Sequence, residues 1–189
     1  MNYLMKEYQN YDARLGWILT YNCNLNCSYC IQAILRNKDI ISGKISKIDI
    51  STLQKTLSDT NKIFKIDFSG GEPFLVPNII EACIELTKNH FVSIWTNLTS
   101  ERVKEFIEKI NPERVPLINA SLHIKELEKH NLVDKFISNF HLFKKNGFNI
   151  RALEVADPHI INEAKKYKKF LKKKRNFIRI YALCWRIQR

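Results

Sequence analysis

Hydrophobic positions along the chain change period about every 25 residues, between a repeat of 2 and a repeat of 3.6. Leu15 to Thr20 alternates as a strand, and Asp49 to Asp59 places Leu53 and Leu57 four apart, as on a helix face. Ile63 to Phe68 is a second strand, followed by a helix over Pro77 to Asn89 with Ile79, Ile80, Cys83, Ile84 and Leu86 on one stripe. The alternation continues through a strand at Phe91 to Trp95, a helix at Glu101 to Ile110 and a strand at Val115 to His123. A long helix over Lys125 to Lys145 ends near Gly147, and a strand follows at Phe148 to Val155. A helix at Pro158 to Lys174 and a sixth strand at Phe177 to Leu183 complete the pattern. Six βα units in series predict an α/β fold whose parallel strands are joined by right-handed crossovers.

The faces of these strands decide between an open doubly wound sheet and a curved one. Strands buried on both sides are apolar throughout. Here one parity is apolar, with Phe64, Ile66 and Phe68 on the second strand and Ile118, Ala120 and Leu122 on the fourth. The other parity is polar: Lys65, Asp67 and Ser69, then Ser93 and Asn97, then Asn119, Ser121 and His123. Convergent polar positions on consecutive strands predict a partial (βα)6 barrel, TIM-like, with an open polar lumen. Residues 1–13 read as an N-terminal extension and residues 14–189 as one core domain, a size that a single core can support.

Composition narrows the setting. No run of about 18 apolar residues exists, so no membrane span is expected. The polar N-terminus, with Lys6, Glu7 and Asp12, lacks the apolar stretch of a secretory signal. A reducing cytoplasm is therefore expected, where clustered cysteines act as ligands or catalytic groups before disulfides. The net charge of +12 comes from one place: Lys165 to Arg189 holds 11 Lys and Arg with no acid. The remaining 164 residues are almost balanced, so nucleic acid is not expected as a partner and the lysines read as the solvated face of the last helix. On that helix Ile160, Ile161, Ala164, Tyr167 and Leu171 form the inward stripe.

The candidate chemistry begins directly after the first strand. Cys23-Asn-Leu-Asn-Cys27-Ser-Tyr-Cys30 puts three thiols on a loop at a strand's carboxyl end, the functional end of parallel α/β folds. Structural zinc takes four ligands in two separated pairs, and no His lies near this loop. Three thiolates around a 4Fe-4S cluster leave one iron open. Cluster, zinc and coincidence all remain open on spacing alone. Cys83 sits on an apolar stripe and reads as core. A second motif, Ser69-Gly70-Gly71-Glu72-Pro73, follows the second strand; its glycines permit close backbone approach and Glu72 supplies a carboxylate.

Together the two motifs resemble the radical S-adenosylmethionine (radical SAM) superfamily. Its signature is Cys-x3-Cys-x2-Cys with an aromatic residue before the last cysteine, here Tyr29, and its second motif is Gly-Gly-Glu followed by Pro. The wording from Tyr21 to Ile31 is similar to the branch that modifies peptides and proteins. The resemblance implies that Cys23, Cys27 and Cys30 ligate a 4Fe-4S cluster whose open iron chelates S-adenosylmethionine (AdoMet). It implies that Gly70, Gly71, Glu72 and Pro73 receive the cofactor's amino group, and that Tyr29 lies near its adenine. Asn97 and Ser121 match places that contact its nucleoside or methionine parts, and Arg151, whose parity on the fifth strand is ambiguous, would pair with its carboxylate. Reductive cleavage of the S–C5′ bond would yield a 5′-deoxyadenosyl radical that abstracts hydrogen from a substrate, a peptide if the branch holds. An electron donor such as flavodoxin or ferredoxin is implied as partner.

Two departures stand beside the resemblance. The fifth strand lacks the family's spaced glycines and reads Ile150-Arg-Ala-Leu-Glu-Val155, and with Cys184 alone remaining near Arg189, no C-terminal cysteine-rich domain is expected. A truncated, non-catalytic iron–sulfur-binding remnant is therefore an alternative expectation. A zinc module with a basic RNA-binding tail is a weaker one. Lys65 and Asp67 read as a charge pair in the lumen. His123 reads as either a proton donor or a hydrogen-bonded structural residue. The tryptophans, Trp17, Trp95 and Trp185, read as core.

Overall fold

The computed structural model describes residues 10–30, 32, 45–155, 162, 163, 165–167, 169 and 180–183. Six strands form one parallel sheet in the order of the chain: β1 (Ala13–Thr20), β2 (Phe64–Gly70), β3 (Phe91–Thr96), β4 (Ile118–Ser121), β5 (Ile150–Val155) and β6 (Ile180–Leu183). β1 and β6 are its two edges, so the sheet is open, as expected of a partial barrel. Between the strands run α1 (Ile50–Ser58), α2 (Ile79–Leu86), α3 (Arg102–Lys109), α4 (Ile124–Lys129) and α5 (Val133–Lys145), with short 3₁₀ turns at Pro73–Leu75 and Pro112–Arg114.

Local chemistry explains the element ends. α1 starts where the Asp49 carboxylate accepts the Thr52 N–H, which satisfies an orphan donor of the first turn. α5 ends in a Schellman arrangement: Phe148 N–H bonds to Phe143 C=O and Gly147 N–H to Lys144 C=O. Gly147 has φ of +83°, the left-handed conformation that this cap requires. The single helix expected over Lys125 to Lys145 is instead two. Asn131 turns left-handed at φ +57°, and Leu132 N–H closes a wide turn onto Leu127 C=O before α5 begins. Hydrophobic spacing continues across this break, and Asn tolerates the left-handed region, so the pattern alone concealed it.

The apolar parity packs under the helices. Ile66, Phe68, Val92, Ile94, Ile118, Ala120 and Ala152 are fully buried in one cluster with Ile79, Ile80 and Leu86 of α2 and with Phe106, Phe136 and Phe143 of α3 and α5. Edge-on and tilted ring contacts at 5.2–5.9 Å link Phe74, Phe106, Phe143 and Phe148. Cys83 is fully buried in the same cluster, as its stripe position predicted. Trp17 packs edge-on against Phe68. Tyr167 is buried and its hydroxyl bonds to Glu128, while Lys165, Lys166 and Lys169 are exposed. Trp185, Cys184 and the other members of the last helical stripe lie outside the described residues.

The polar parity faces the other way and is brought together by register. Gly16, Asp67 and Ser93 share one row, and Asn119 and Arg151 another. Asp67 accepts from Lys65 Nζ at 2.8 Å and from Arg14, and Arg151 Nε donates to Asn119 Oδ1 at 2.7 Å. Register thus places Arg151 on the lumen side with Asn119, which the strand pattern alone left ambiguous.

Candidate functional site

The carboxyl ends of β1 and β2 are joined by backbone rather than side chains. Gly71 N–H donates to Thr20 C=O at 2.7 Å, and Glu72 N–H to Asn22 C=O at 2.9 Å. These bonds carry the β1–β2 pairing past the strand ends into the run leading to Cys23. The glycines make that approach possible. A Cβ on Gly71 would lie 1.9 Å from Asn22 O, and one on Gly70 would lie 2.3 Å from Thr20 O. Gly70 also has φ of +135°. The Gly-Gly pair therefore seats the cysteine loop on the sheet.

The loop that follows turns back on itself, with Cys30 N–H bonded to Cys27 C=O. Leu25 is buried beneath it and Leu25 N–H points to Cys23 Sγ at 3.4 Å. Of the three thiols, Cys27 is buried, and Cys23 and Cys30 are half-buried. Burial pushes the Cys27 thiol up to about 12, helped by the neighbouring charges of Cys23, Glu126 and Cys30. Cys23 and Cys30 thus oppose ionisation of Cys27, and a bound cation would reverse that balance. Among the described residues no group of three such side chains is drawn together as a ready-made metal site. The donor set itself suits a thiophilic iron cluster: three thiols on one short loop at the functional edge, with no His or carboxylate interleaved.

Glu72 is fully buried and its carboxylate is engaged from three sides. It accepts from Phe74 N–H at 3.0 Å, Thr96 Oγ1 at 2.8 Å and Asn97 N–H at 2.8 Å. Burial raises its pKa to about 7 against the pull of those donors. The carboxylate expected to meet an ammonium therefore pins the end of β2 to the end of β3. Pro73, also buried, opens the 3₁₀ turn that Glu72 caps.

Asn97 is 3% exposed at the tip of β3 and contacts the cysteine loop through Asn24. Ser121 is half-buried at the tip of β4, and Arg151 stands one layer below it beside Asn119. Tyr29 reaches from the loop to the end of β4, where its hydroxyl meets His123 Nδ1 at 2.9 Å. His123 has φ of +42° at the start of α4, and burial lowers its pKa to about 4, so its ring is neutral near pH 7. The sequence reading missed Asn24, Thr96, Thr99 and Asn139. The Asn97-Leu-Thr99 wording carried a signal, because Asn followed two residues later by a backbone donor is an Asx turn; Thr99 N–H does donate to Asn97 Oδ1.

An open parallel sheet with a thiol loop clamped to its carboxyl edge is the framework of a partial α/β barrel. The model of the radical SAM superfamily matches residues 17–155, well over half of the chain, and the chain belongs to that family. An uncharacterised protein of Methanocaldococcus jannaschii is 36% identical over 101 residues, which is 49% of this chain and 34% of that protein. A cysteine-type anaerobic sulfatase-maturating enzyme of Clostridium novyi is 26% identical over 172 residues, 80% of this chain and 46% of that enzyme. The solved structure of native anSMEcpe with bound AdoMet and Cp18Cys peptide superimposes with a TM-score of 0.65 at 20% identity, covering 91% of this chain and 50% of that one. The chain thus spans between a third and a half of the length of these relatives. Among the described residues, no helix is long and apolar enough to cross a membrane.

Proposed function

We propose that this protein binds a 4Fe-4S cluster through Cys23, Cys27 and Cys30 and uses it, with AdoMet, to remove a hydrogen atom from a peptide. The observation that carries this reading is the pair of backbone bonds, Gly71 to Thr20 and Glu72 to Asn22, that lock the Gly-Gly-Glu edge to the run into the thiol loop. When bound, the cluster and AdoMet supply one-electron cleavage of the S–C5′ bond and with it a hydrogen-abstracting radical.

The chain's own residues bind, orient and shield. Cys23, Cys27 and Cys30 would hold the cluster as thiolates. The backbone edge Gly70–Pro73 is assigned to the amino end of AdoMet, with the Glu72 carboxylate fixing that edge from within the fold. Ser121 and Arg151 offer a hydroxyl and a guanidinium to the rest of the cofactor from the lumen side of β4 and β5. Tyr29, tethered to His123, would lie near the adenine end. The apolar layer beneath the sheet keeps water from one side of the site.

The peptide assignment is supported by anSMEcpe, solved with both AdoMet and a peptide. A small electron-transfer protein such as flavodoxin or ferredoxin is proposed as the reductant. The cytoplasm is the proposed compartment, since clustered cysteines act as metal ligands in reducing surroundings.

The test is anaerobic reconstitution with iron and sulfide, followed by absorption and EPR spectra with and without AdoMet. A brown protein with about four iron per chain, an AdoMet-dependent change in the EPR signal, and 5′-deoxyadenosine released on reduction are expected. Stoichiometric zinc without iron uptake would overturn the reading. A cluster whose spectrum ignores AdoMet would leave only an iron–sulfur-binding protein.

A further inference from the structure

We propose that Asn97 is a positioning residue: it clasps the three-cysteine loop to the tip of β3 and donates a hydrogen bond to the Cys23 sulfur. The inference rests on the cluster reading above and adds a role for a side chain that the resemblance assigned to cofactor contact.

The amide of Asn97 is committed to protein at both ends. Its Oδ1 accepts from Thr99 N–H at 3.0 Å and from Thr99 Oγ1 at 2.6 Å. Its Nδ2 donates to Asn24 Oδ1 at 2.9 Å and points at Cys23 Sγ at 3.8 Å. Asn24 Nδ2 in turn donates to Thr99 Oγ1 at 2.7 Å. The three side chains form a closed ring in which each hydrogen bond runs the same way: Thr99 to Asn97, Asn97 to Asn24, Asn24 to Thr99. Bonds in such a ring polarise one another, and burial strengthens each.

The ring stands on a rigid base. Asn97 N–H is held by the buried Glu72 carboxylate. The next residue, Leu98, is fully buried and left-handed at φ +56°, a conformation that a branched side chain holds only when its surroundings enforce it. They do so here: Leu98 N–H donates to Thr96 Oγ1 at 3.0 Å, and Leu98 C=O accepts from Asn139 Nδ2 at 2.7 Å. The turn at Leu98 aims Asn97 at the loop, and α5 holds the turn.

The chemistry follows from the acceptor. Cys23 Sγ faces the N–H groups of Leu25 and Asn97. Hydrogen bonds to a cluster's sulfurs favour its more negative, reduced form and so raise its potential. Asn97 is therefore placed to ease reduction of the cluster as well as to fix the loop that carries it.

Two measurements on Asn97→Ala, Asn24→Ala and wild type test this. Hydrogen exchange of loop 23–27 in the metal-free protein should be several-fold faster in both variants. The midpoint potential of the reconstituted cluster without AdoMet should become more negative in Asn97→Ala and move less in Asn24→Ala, which keeps the donor to Cys23. If Asn97→Ala does not fold, Thr99→Val opens the same ring and carries the exchange measurement. A cluster-bearing Asn97→Ala protein with wild-type exchange and potential would overturn the inference and leave the cluster reading standing. The same protein with only weaker AdoMet binding would return Asn97 to cofactor contact and overturn it equally. Failure of wild type to take up iron would defeat the cluster reading and the tuning role with it.

Discussion

At the carboxyl end of β2, Glu72 is fully buried and held by two backbone N–H groups and the Thr96 hydroxyl; toward the amino end of the same strand, Lys65 and Asp67 are held by each other and by Arg14. The backbones differ in the same way. Gly70 and Leu98 are left-handed at the carboxyl end, and Gly71 is in contact with Asn22, whereas Gly16 on the neighbouring β1 has open space around it. Backbone donors fix an anion in direction as well as distance, and strained residues persist only where several contacts enforce them. A pair of flexible charged side chains tolerates rearrangement. The same strand is therefore preorganised at the end where the thiol loop sits and adaptable at the other.

The comparison can be broken most sharply at the cysteines. Cys27→Ala should abolish iron uptake on reconstitution, because two thiolates do not hold the cluster. Cys83→Ala, in the core, should leave iron content unchanged and cost about 1 kcal/mol of stability, the scale for a small buried deletion. Iron loss in Cys83→Ala would move the ligand set off the loop.

The glycines give the next contrast. Gly71→Ala forces a Cβ onto backbone and should destabilise by about 3 kcal/mol, the upper part of the usual overpacking range. Gly16→Ala meets nothing within 4 Å and should stay within about 0.5 kcal/mol of wild type. Equal denaturation midpoints for the two variants would erase the difference between the ends.

A pH series sharpens it further. The Glu72 carboxyl titrates near about 7 in the fold but in its ordinary range, about 4.3, when unfolded. Between those values the unfolded chain has released a proton that the folded chain keeps, so this group makes stability fall as pH rises through that window. Glu72→Gln should flatten that fall in urea melts from pH 4.5 to 7. An identical slope in both proteins would show that the donors outweigh burial at this site.

The smallest effect belongs to the adaptable end. Arg14 is 64% exposed, so Arg14→Ala should cost no more than about 0.5 kcal/mol and less at high salt. A larger, salt-resistant loss in thermal melts would mean that the lumen charges are as fixed as Glu72.

How much of this was readable in advance follows the range of the interactions. The alternation of periods located all six strands and the polar face, because burial of one face is a repeating constraint that each element shows by itself. Cys23, Cys27, Cys30 and the Gly-Gly-Glu motif were legible because their spacing is local. The break at Asn131 was not, since Asn is tolerated in helix and turn alike and the apolar spacing continued past it.

The remaining decisions needed the folded chain. Only strand register put Arg151 beside Asn119 on the lumen side, and only the packed sheet showed that the two glycines face Thr20 and Asn22. The use of Glu72 as a pin and the ring of Asn97, Asn24 and Thr99 join residues up to 75 positions apart. The sequence by itself determined which elements form and which residues are candidates for chemistry, because hydrophobic period and motif spacing are properties of neighbours along the chain. The tertiary structure decided which atoms those residues meet, because hydrogen bonds are short and directional and depend on positions that the other strands supply.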